Sequence, residues 1–230
     1  MPEISNKNFE FFFVAYLDIL GFSKMVESDI QNPYNSHLFF PKLFDVFKEI
    51  QSNYDGENNL QVIQFSDSVV FAIPYEKENF SRFVKTVGEF QYNLFSQGLL
   101  CRGGLSFGKH FYKDGFLFSN GLIEAYKIES NLSRYPRIVI SNDLLDSLFP
   151  HGFESEHQIV KENDNTYFID FIPNNNLQKS AEYLYEILSK NSSSDASVNE
   201  KHRWLCEYFD YKIKTTNEEI DIFSTPRFSS

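Results

Sequence analysis

The predicted order of secondary-structure elements, strand–helix–helix–strand–strand–helix–strand–strand, indicates an α+β fold of ferredoxin-like type, with an antiparallel-rich sheet and its helices on one face. Three observations lead to this prediction. Residues 9–18 form a continuous run of aromatic and branched side chains, which is typical of a strand buried on both faces. Residues 60–65 and 68–74 are apolar runs around Ser66-Asp67-Ser68, which predicts a hairpin. Residues 77–97 repeat apolar side chains at helical spacing, which predicts a long helix.

The other elements follow from breaks and periodicities along the chain. Ser23 is a candidate N-cap for a helix after the first strand, and residues 36–52 also have helical spacing. The Pro-Asn-Asn-Asn stretch at 173–176 is predicted to be a hinge, so we expect a main domain at residues 1–175 and a C-terminal helical extension at residues 176–230. The remaining predictions are strands at 99–107, 111–118 and 137–140, an edge hairpin at 156–161 and 166–172, a serine-rich linker at 191–197, and helices at 120–132, 177–190 and around Trp204.

Composition limits the functions that this chain can have. At 230 residues we expect one domain with an appendage. The net charge of −11 argues against binding to nucleic acid, which needs a basic face, so a nucleotide must be attracted locally by metals and a few cations. Cys101 and Cys206 provide neither a disulfide framework nor metal-ligand spacing, which suits a reducing compartment. The longest apolar stretch, residues 11–17, is far shorter than the ~20 residues of a membrane span, and the first apolar run has no basic leader. We therefore expect a cytoplasmic protein with no membrane partner.

Two carboxylates are placed where apolar strands meet turns. Asp18 is at the end of the first strand, and Asp67 is at the tip of the predicted hairpin. Alone, Asp18 could be a helix N-cap and Asp67 an ordinary turn residue. The first strand and the hairpin are neighbours in the predicted fold, however, and a carboxylate against apolar surface is costly unless a cation compensates it. Together the two residues predict a Mg²⁺ or Mn²⁺ site, and therefore a nucleoside triphosphate as substrate class.

Short segments along the chain, in the right order, are similar to class III nucleotide cyclases. Leu17-Asp18-Ile19-Leu20-Gly21-Phe22-Ser23 resembles the first metal motif of that family, and Ser66-Asp67-Ser68 stands where the family keeps its second metal aspartate. The combination most resembles the pyrimidine cyclases of bacterial Pycsar antiphage systems, over residues 12–140 and 201–208. The other matching segments are Leu-Cys-Arg-Gly-Gly-Leu-Ser-Phe-Gly (100–108), Asn-Gly-Leu-Ile-Glu-Ala-Tyr-Lys-Ile-Glu-Ser (120–130), Arg-Tyr-Pro-Arg-Ile-Val-Ile (134–140) and Lys-His-Arg-Trp-Leu-Cys-Glu-Tyr (201–208).

This resemblance implies a class III cyclase catalytic domain over residues 1–175, with metal ligands and a phosphate-binding loop. The carboxylates of Asp18 and Asp67 and the carbonyl of Ile19 would bind two Mg²⁺ or Mn²⁺ ions per site. Backbone amides at a helix N-terminus would bind the phosphate oxygens of the substrate. These amides are those of Leu20, Gly21, Phe22 and Ser23.

Arg102 and Lys127 are candidate catalytic residues, and Lys127 stands where the family places an arginine. Tyr126 could stack on a pyrimidine and Arg137 could bind phosphate, which makes both candidate substrate contacts. Each residue has a plainer interpretation. Lys127 could pair with Glu124 one turn back, Arg137 could pair with a surface acid, and Tyr126 could belong to the core. The two glycines after Arg102 permit close approach of a ligand or partner, or they could provide sheet curvature.

Departures from the family pattern bear on the substrate. Ile63 stands where purine-selective members carry a lysine, and residues 116–119 contain no base-recognising aspartate. Readout of a purine by that route is therefore not expected. Ile123 and Lys127 stand where many members place an asparagine and an arginine that stabilise the transition state. Lys127 keeps the positive charge but lacks the bidentate geometry of arginine.

The expected function is conversion of CTP or UTP to a 3′,5′-cyclic nucleotide and pyrophosphate, and the sequence favours neither base over the other. The resemblance implies a homodimer with active sites at its interface, and a cyclic product that activates a separate effector in antiphage defence. Two alternatives stay open. One is a catalytically silent cyclase-like domain that binds a nucleotide or a partner, and the other is a purine nucleotide cyclase.

Overall fold

A central antiparallel pairing organises the sheet in the computed structural model, which describes residues 9–32, 34, 36–54, 59–152, 158–190 and 194–216. Strand β1 (Glu10–Ile19) pairs antiparallel with a strand on each side. The other strands are β2 (Gln61–Phe65), β3 (Ser68–Pro74), β4 (Cys101–Lys113), β5 (Phe116–Ser119), β6 (Ile138–Ile140), β7 (Ile159–Lys161) and β8 (Tyr167–Ile169). Their order is β2-β3-β1-β4-β6-β8-β7, with β5 paired to β4; β4 and β6 are parallel, and the other pairings between described strands are antiparallel. The α+β class and the antiparallel-rich sheet are confirmed.

The main core lies between one face of this sheet and the two helices that flank the β2–β3 hairpin in the chain. Alternate residues of β1 and β3 on this face, such as Phe13 and Phe71, are fully buried against α2 (Phe40–Tyr54) and α3 (Lys77–Ser96). Phe90 of α3 meets both Phe71 and Phe47 in ring contacts. The helices are α1 (Phe22–Gln31), α2 (Phe40–Tyr54), α3 (Lys77–Ser96), α4 (Asn120–Leu132), α5 (Asn142–Leu148), α6 (Leu177–Lys190) and α7 (Ala196–Thr216). Among the described residues, no helix is both long and apolar enough to cross a bilayer.

Helix α4 lies on the opposite face of the sheet, which differs from the expectation that the helices share one face. Leu122 of α4 packs there against Val14 and Val70. The close packing depends on missing side chains in β4, because a Cβ at Gly104 would lie 2.1 Å from the carbonyl oxygen of Ala125. Gly104 therefore admits the backbone of the chain's own helix, whereas a Cβ at Gly103 would meet the carbonyl oxygen of Tyr16 in the neighbouring strand β1.

The C-terminal helices α6 and α7 share a second apolar cluster with the end of α3 and the far part of the sheet. Trp204 of α7 stacks on Tyr135 with ring centroids 5.9 Å apart, and it also meets Phe168 of β8 edge-on. The predicted helix around Trp204 is thus part of α7. The proposed division between residues 1–175 and 176–230 stays a prediction.

Most predicted elements are confirmed, and four local predictions need correction. Helix α2 begins at Phe40, because the Asp29 carboxylate accepts the amides of Leu38, Phe39 and Phe40 and so caps its start. Helix α1 begins one residue before Ser23, which therefore is not its N-cap. Strand β4 continues past Phe107 to Lys113, and α5 was not predicted. The predicted hinge is a single 3-10 turn followed directly by α6. Parts of the predicted hairpin at 156–161 and of the predicted linker at 191–197 lie outside the described residues.

Candidate active site

Asp18 and Asp67 meet at one end of the β1–β3 pair. Asp18 is the second-last residue of β1 and lies opposite Ser68, the first residue of β3. Asp67 forms the turn between β2 and β3, and its carbonyl oxygen accepts the amide of Ile19 at 2.9 Å. Both aspartates are partly exposed. The predicted convergence of the two strand-end aspartates is confirmed.

Arg102 joins Asp18 to a third carboxylate. It lies opposite Asp18 in the β1–β4 register, and its Nε donates to Asp18 Oδ2 at 3.1 Å. Its Nη2 lies 2.8 Å from Oε1 of Glu129 on α4. Burial raises the pKa of the Glu129 carboxyl, while Arg102 and the Ser130 hydroxyl partly oppose that shift. The guanidinium is therefore fixed between a strand and a helix, beside the candidate metal ligands.

Glu129 is the residue of this site that sequence reasoning missed. Its side chain is only 4% exposed, although glutamate is rarely buried without a partner. The sequence does carry a signal for it, because Gly121, Ala125 and Glu129 recur every four residues and form the buried stripe of α4. A small–small–acidic stripe beside a glycine-rich strand indicates an acid that faces the sheet.

Tyr16 lies two residues before Asp18 on β1 and therefore on the same face of the strand. Its hydroxyl is 2.8 Å from Ser68 Oγ, and burial raises its pKa, with the negative charges of Asp18, Glu129 and Asp67 adding to the shift. The ring of Tyr126 on α4 meets the ring of Tyr16 edge-on at 5.4 Å. Tyr126 is half-exposed, so it lies beside the site with one part open to solvent.

The loop after Asp18 differs in part from the predicted phosphate-binding loop. The amide of Leu20 donates to the carbonyl of Leu100 at 2.8 Å, so Leu20 belongs to the backbone of the sheet and is removed from the phosphate-binding set. Gly21 has φ +77°, a conformation that favours glycine, and it leads directly into α1. Phe22 and Ser23 form the first turn of that helix, whose amides have no partner within the helix. Gly21, Phe22 and Ser23 stay predicted phosphate ligands.

Two of the predicted cations lie away from Asp18. Lys127 is exposed and pairs with Glu124 at 2.8 Å, which is the alternative that the sequence analysis gave for it. Arg137 is 2% exposed, and its guanidinium donates to Glu162, to Asp164 at 2.8 Å and to a backbone carbonyl. An arginine enclosed in this way cannot reach a substrate, so the prediction that Arg137 binds substrate is wrong. Its role is to hold β6 to the β7–β8 hairpin.

The donor set fits a hard divalent cation that also binds a substrate. The described residues contain no cluster of three or more His, Cys, Asp and Glu side chains able to hold a metal on their own. Mg²⁺ in nucleotide enzymes is typically bound by one or two carboxylates together with substrate phosphates. Asp18 and Asp67, with the Ile19 carbonyl as a further candidate ligand, match that pattern.

Ile63, which the sequence resemblance aligns with a purine-reading lysine, lies in apolar surroundings. It is on β2 opposite Val70, and it packs against the apolar cluster that contains Val70 on the α4 face of the sheet. This position therefore offers no hydrogen-bonding group to a base.

Comparison with known proteins yields weak similarity to cyclase structures. No protein-family model and no curated protein matches the sequence. The adenylyl cyclase CyaB from P. aeruginosa is 14% identical, with 70% of this chain and 94% of that chain covered and a TM-score of 0.46. The guanylyl cyclase Cya2 is 12% identical, with 70% and 91% covered and a TM-score of 0.43. The monomeric guanylyl cyclase domain of the RhoGC fusion protein from the aquatic fungus Blastocladiella emersonii is 17% identical, with 71% and 96% covered and a TM-score of 0.46. These values assign neither a family nor an activity to the chain.

Proposed function

We propose that this protein is a metal-dependent nucleotide cyclase that converts CTP or UTP to the 3′,5′-cyclic nucleotide and pyrophosphate. One observation supports the proposal above all others. Asp18 and Asp67 are brought to the same end of the β1–β3 pair, and Arg102 lies against Asp18. Carboxylates beside an arginine form a site that can hold metal ions and a polyphosphate at the same time.

Each residue of the site would have its own role in catalysis. Asp18 and Asp67 would bind two Mg²⁺ or Mn²⁺ ions, and such ions lower the pKa of the ribose 3′-OH and neutralise charge on the triphosphate. Arg102 would donate to phosphate oxygens. Glu129 would hold the Arg102 guanidinium in the site when Asp18 binds a metal ion. The first-turn amides of α1 would orient the phosphates without adding charge to an acidic chain.

A pyrimidine substrate is supported by what surrounds the candidate base position. Ile63 gives apolar contact and no donor or acceptor, which disfavours recognition of adenine or guanine there. Tyr126, half-exposed beside Tyr16, is available to stack on a small base. Choice between CTP and UTP then depends on the single donor or acceptor group at ring position 4.

The second half of the site would come from another copy of the chain. Ile123 and Tyr126 on α4 and Phe116 and Phe118 on β5 are large apolar side chains that are more than half exposed, which supports a homodimer through this face. Lys127 would then reach the site of the partner subunit. We further propose that the cyclic product acts as a cytoplasmic second messenger for a separate effector in antiphage defence.

One observation favours a second candidate, a catalytically silent domain that binds nucleotides. Lys127 is already paired with Glu124, and the exposed Ile123 offers no polar group in place of the family's asparagine. Such a domain would bind a nucleotide in a metal-dependent way and release no pyrophosphate.

The direct test is incubation of the full chain with Mn²⁺ or Mg²⁺ and each of the four ribonucleoside triphosphates, with products identified by mass spectrometry. We expect cyclic UMP or cyclic CMP with pyrophosphate. A cyclic purine product would contradict the interpretation of Ile63 and favour a purine cyclase. Metal-dependent nucleotide binding without any product would favour the silent domain.

A further inference from the structure

Helices α1 and α2 enclose an apolar cleft of about 510 Å³, with β2 at its edge. Twelve described residues line the cleft, and nine of them have apolar side chains. Five of the nine are phenylalanines, namely Phe22, Phe39, Phe40, Phe44 and Phe47. Binding sites for small molecules have volumes of roughly 300–1,000 Å³ and are lined mainly by aromatic and aliphatic side chains. The cleft therefore has the size and the lining of such a site.

Hydrogen bonds at one end of the cleft fix the two helices relative to each other. The carboxylate of Asp29, near the end of α1, accepts the amides of residues 38–40 at 2.9, 2.9 and 2.7 Å. His37 Nδ1 lies 3.2 Å from the carbonyl oxygen of Asp29. Hydrogen bonds to a carboxylate are stronger than those between neutral groups. The start of α2 is thus tied to α1, and the cleft is pre-formed.

Aromatic rings form the wall and the floor of the cleft on the α2 side. Phe40 and Phe44, one turn apart, stack with their ring centroids 5.9 Å apart, and both side chains are more than half exposed. Phe47, further along the same face of α2, contacts Phe90 of the main core. On the α1 side, Ile30 is 77% exposed. Because apolar surface open to water is unfavourable, a molecule that covers these side chains gains free energy from their burial.

The polar lining residues indicate that the ligand is uncharged. Asp29 is buried, and its carboxylate already has three amides as partners. Gln64 is neutral, and the twelve described lining residues include no Lys and no Arg. His37 Nδ1 faces the Asp29 carbonyl, which leaves Nε2 for a hydrogen bond to a ligand. A charged group brought into the cleft would lose its hydration without gaining an ionic partner.

The shape of the cleft favours a small molecule over a helix of a partner protein. An α-helix is about 10–12 Å across with its side chains, so it needs a groove that is open at both ends. Here the connection between α1 and α2 closes one end, because His37 and Phe39 also line the cleft. A cavity of about 150 Å³ holds one benzene ring, so this cleft has room for about two or three rings.

We propose that this cleft is a binding site for an uncharged, mainly aromatic small molecule of about two or three rings. The inference does not depend on the proposed function, although the cleft lies beside the candidate active site. Phe22 is the first residue of α1, whose first-turn amides are predicted phosphate ligands. Gln64 is three residues before Asp67. A bound molecule would therefore contact the segments that follow Asp18 and precede Asp67.

Met25 provides a direct probe, because it lines the cleft and the only other methionine of the chain is Met1. The test is titration of the full chain, labelled with [methyl-¹³C]methionine, with the neutral two-ring molecule 2-naphthol, followed by NMR. We expect the Met25 methyl signal, assigned with Met25→Leu, to move and to saturate with a dissociation constant of about 1 mM or lower. The same rings with a carboxylate, 2-naphthoate, should bind at least about tenfold more weakly.

Two variants and a matched control assign the binding to the cleft. Val26→Trp fills the cleft from α1, and Phe44→Asp places a carboxylate on its α2 wall. We expect each variant to bind 2-naphthol about tenfold more weakly than wild type. Phe44 is 55% exposed, so Phe44→Asp should keep the wild-type circular dichroism spectrum. Tyr185→Asp changes an aromatic residue of α6 that is 47% exposed and not part of the cleft, and it should bind as wild type does.

Three results of the titrations would overturn the inference. They are an unmoved Met25 signal, equal affinity for 2-naphthol and 2-naphthoate, and equal affinity of wild type and Phe44→Asp for 2-naphthol. Movement of the Met25 signal with protein concentration alone would also overturn it, since a second copy of the chain would then cover the cleft. Absence of cyclic product from every triphosphate would contradict the proposed function and leave this inference standing.

Discussion

Arg102 and Asp18 are cross-strand neighbours whose side chains also form an ion pair, with Arg102 Nε 3.1 Å from Asp18 Oδ2. The pair links β4 to the end of β1, where the first metal ligand is expected. The other side of the guanidinium is held by Glu129. If a metal ion bound the Asp18 carboxylate, Arg102 would keep Glu129 as an anionic partner and its Nε would be free to donate. The arrangement therefore suits an arginine that changes from carboxylate to phosphate as substrate binds.

Glu129 is predicted to act through Arg102. Glu129→Gln keeps the size of the side chain but removes the charge that orients the guanidinium, and we expect kcat/KM to fall about tenfold. The measurement is steady-state kinetics of Glu129→Gln, Arg102→Met and the double variant. The double variant should be no slower than Arg102→Met alone, because the two residues act as one unit. Independent, multiplying losses would show that Glu129 acts in another way, and Glu49→Gln on the exposed face of α2 is the control.

Mixing two inactive variants tests the proposed homodimer. Asp18→Asn lacks a metal ligand, and Lys127→Met lacks the cation that would serve the partner's site, so each homodimer should be inactive. In a two-fold dimer that exchanges subunits, mixing equal amounts should restore about a quarter of the wild-type activity, since half of the dimers contain one intact site. No recovery after subunit exchange would place the whole site within one chain.

Arg137 is predicted to be structural. Arg137→Met leaves Glu162 and Asp164 without their buried cation, and we expect a loss of about 3 kcal/mol in the free energy of unfolding, measured by urea denaturation. Activity per folded molecule should be unchanged, because the buried guanidinium is enclosed by Glu162, Asp164 and a backbone carbonyl. Arg203→Met, on the exposed face of α7, should change neither quantity. A stable variant with a raised KM would restore the sequence-based prediction that Arg137 contacts substrate.

His110 is predicted to lower the stability of the protein as the pH falls. Burial lowers the pKa of His110 from 6.5 to about 4, and its Nε2 lies 2.9 Å from Gln61 Oε1. Between these two pH values the unfolded chain binds a proton that the folded chain does not, so the contribution of this group is complete above pH 6.5 and is lost as the pH falls to about 4. We expect about 3 kcal/mol less stability at the lower end of this window from His110, measured by urea denaturation at several pH values. His110→Gln should flatten this part of the profile and the exposed His151→Gln should not, whereas an unchanged slope in His110→Gln would contradict the assignment.

The sequence allows the position of the aspartates to be predicted because strand-end position follows from local apolar patterning. Asp18 and Asp67 flank runs that are unmistakable as strands, and antiparallel pairing of neighbours then brings the two together. The roles of Leu20 and Arg137 could not be predicted in this way. The amide of Leu20 is taken by Leu100, and the guanidinium of Arg137 by Glu162 and Asp164, partners that lie far along the chain. Only tertiary contact decides whether such a donor is free for a ligand.

The face on which α4 packs is a second case where local pattern was not enough. Its bounds, residues 120–132, were predicted from periodicity and are confirmed. Its side of the sheet depends on Gly104 and Gly108, which remove side chains where the helix backbone must approach. Gly104 was predicted, with Gly103, to permit close approach, but the sequence did not identify the approaching group, and Gly108 was not singled out. Glu129 was missed for the same reason, since its burial follows from that packing.

The most direct test of the central claim is Mn²⁺-dependent turnover by variants of the two aspartates. Wild type, Asp18→Asn, Asp67→Asn and the exposed control Asp45→Asn would be incubated with UTP and with CTP, and cyclic product and pyrophosphate quantified together. We predict that both products form in equal amounts with wild type and Asp45→Asn and fall by at least about a hundredfold in either site variant, because each removes a metal-binding carboxylate. Cyclic product at wild-type rates from Asp18→Asn or Asp67→Asn would show that the two aspartates do not form the metal site.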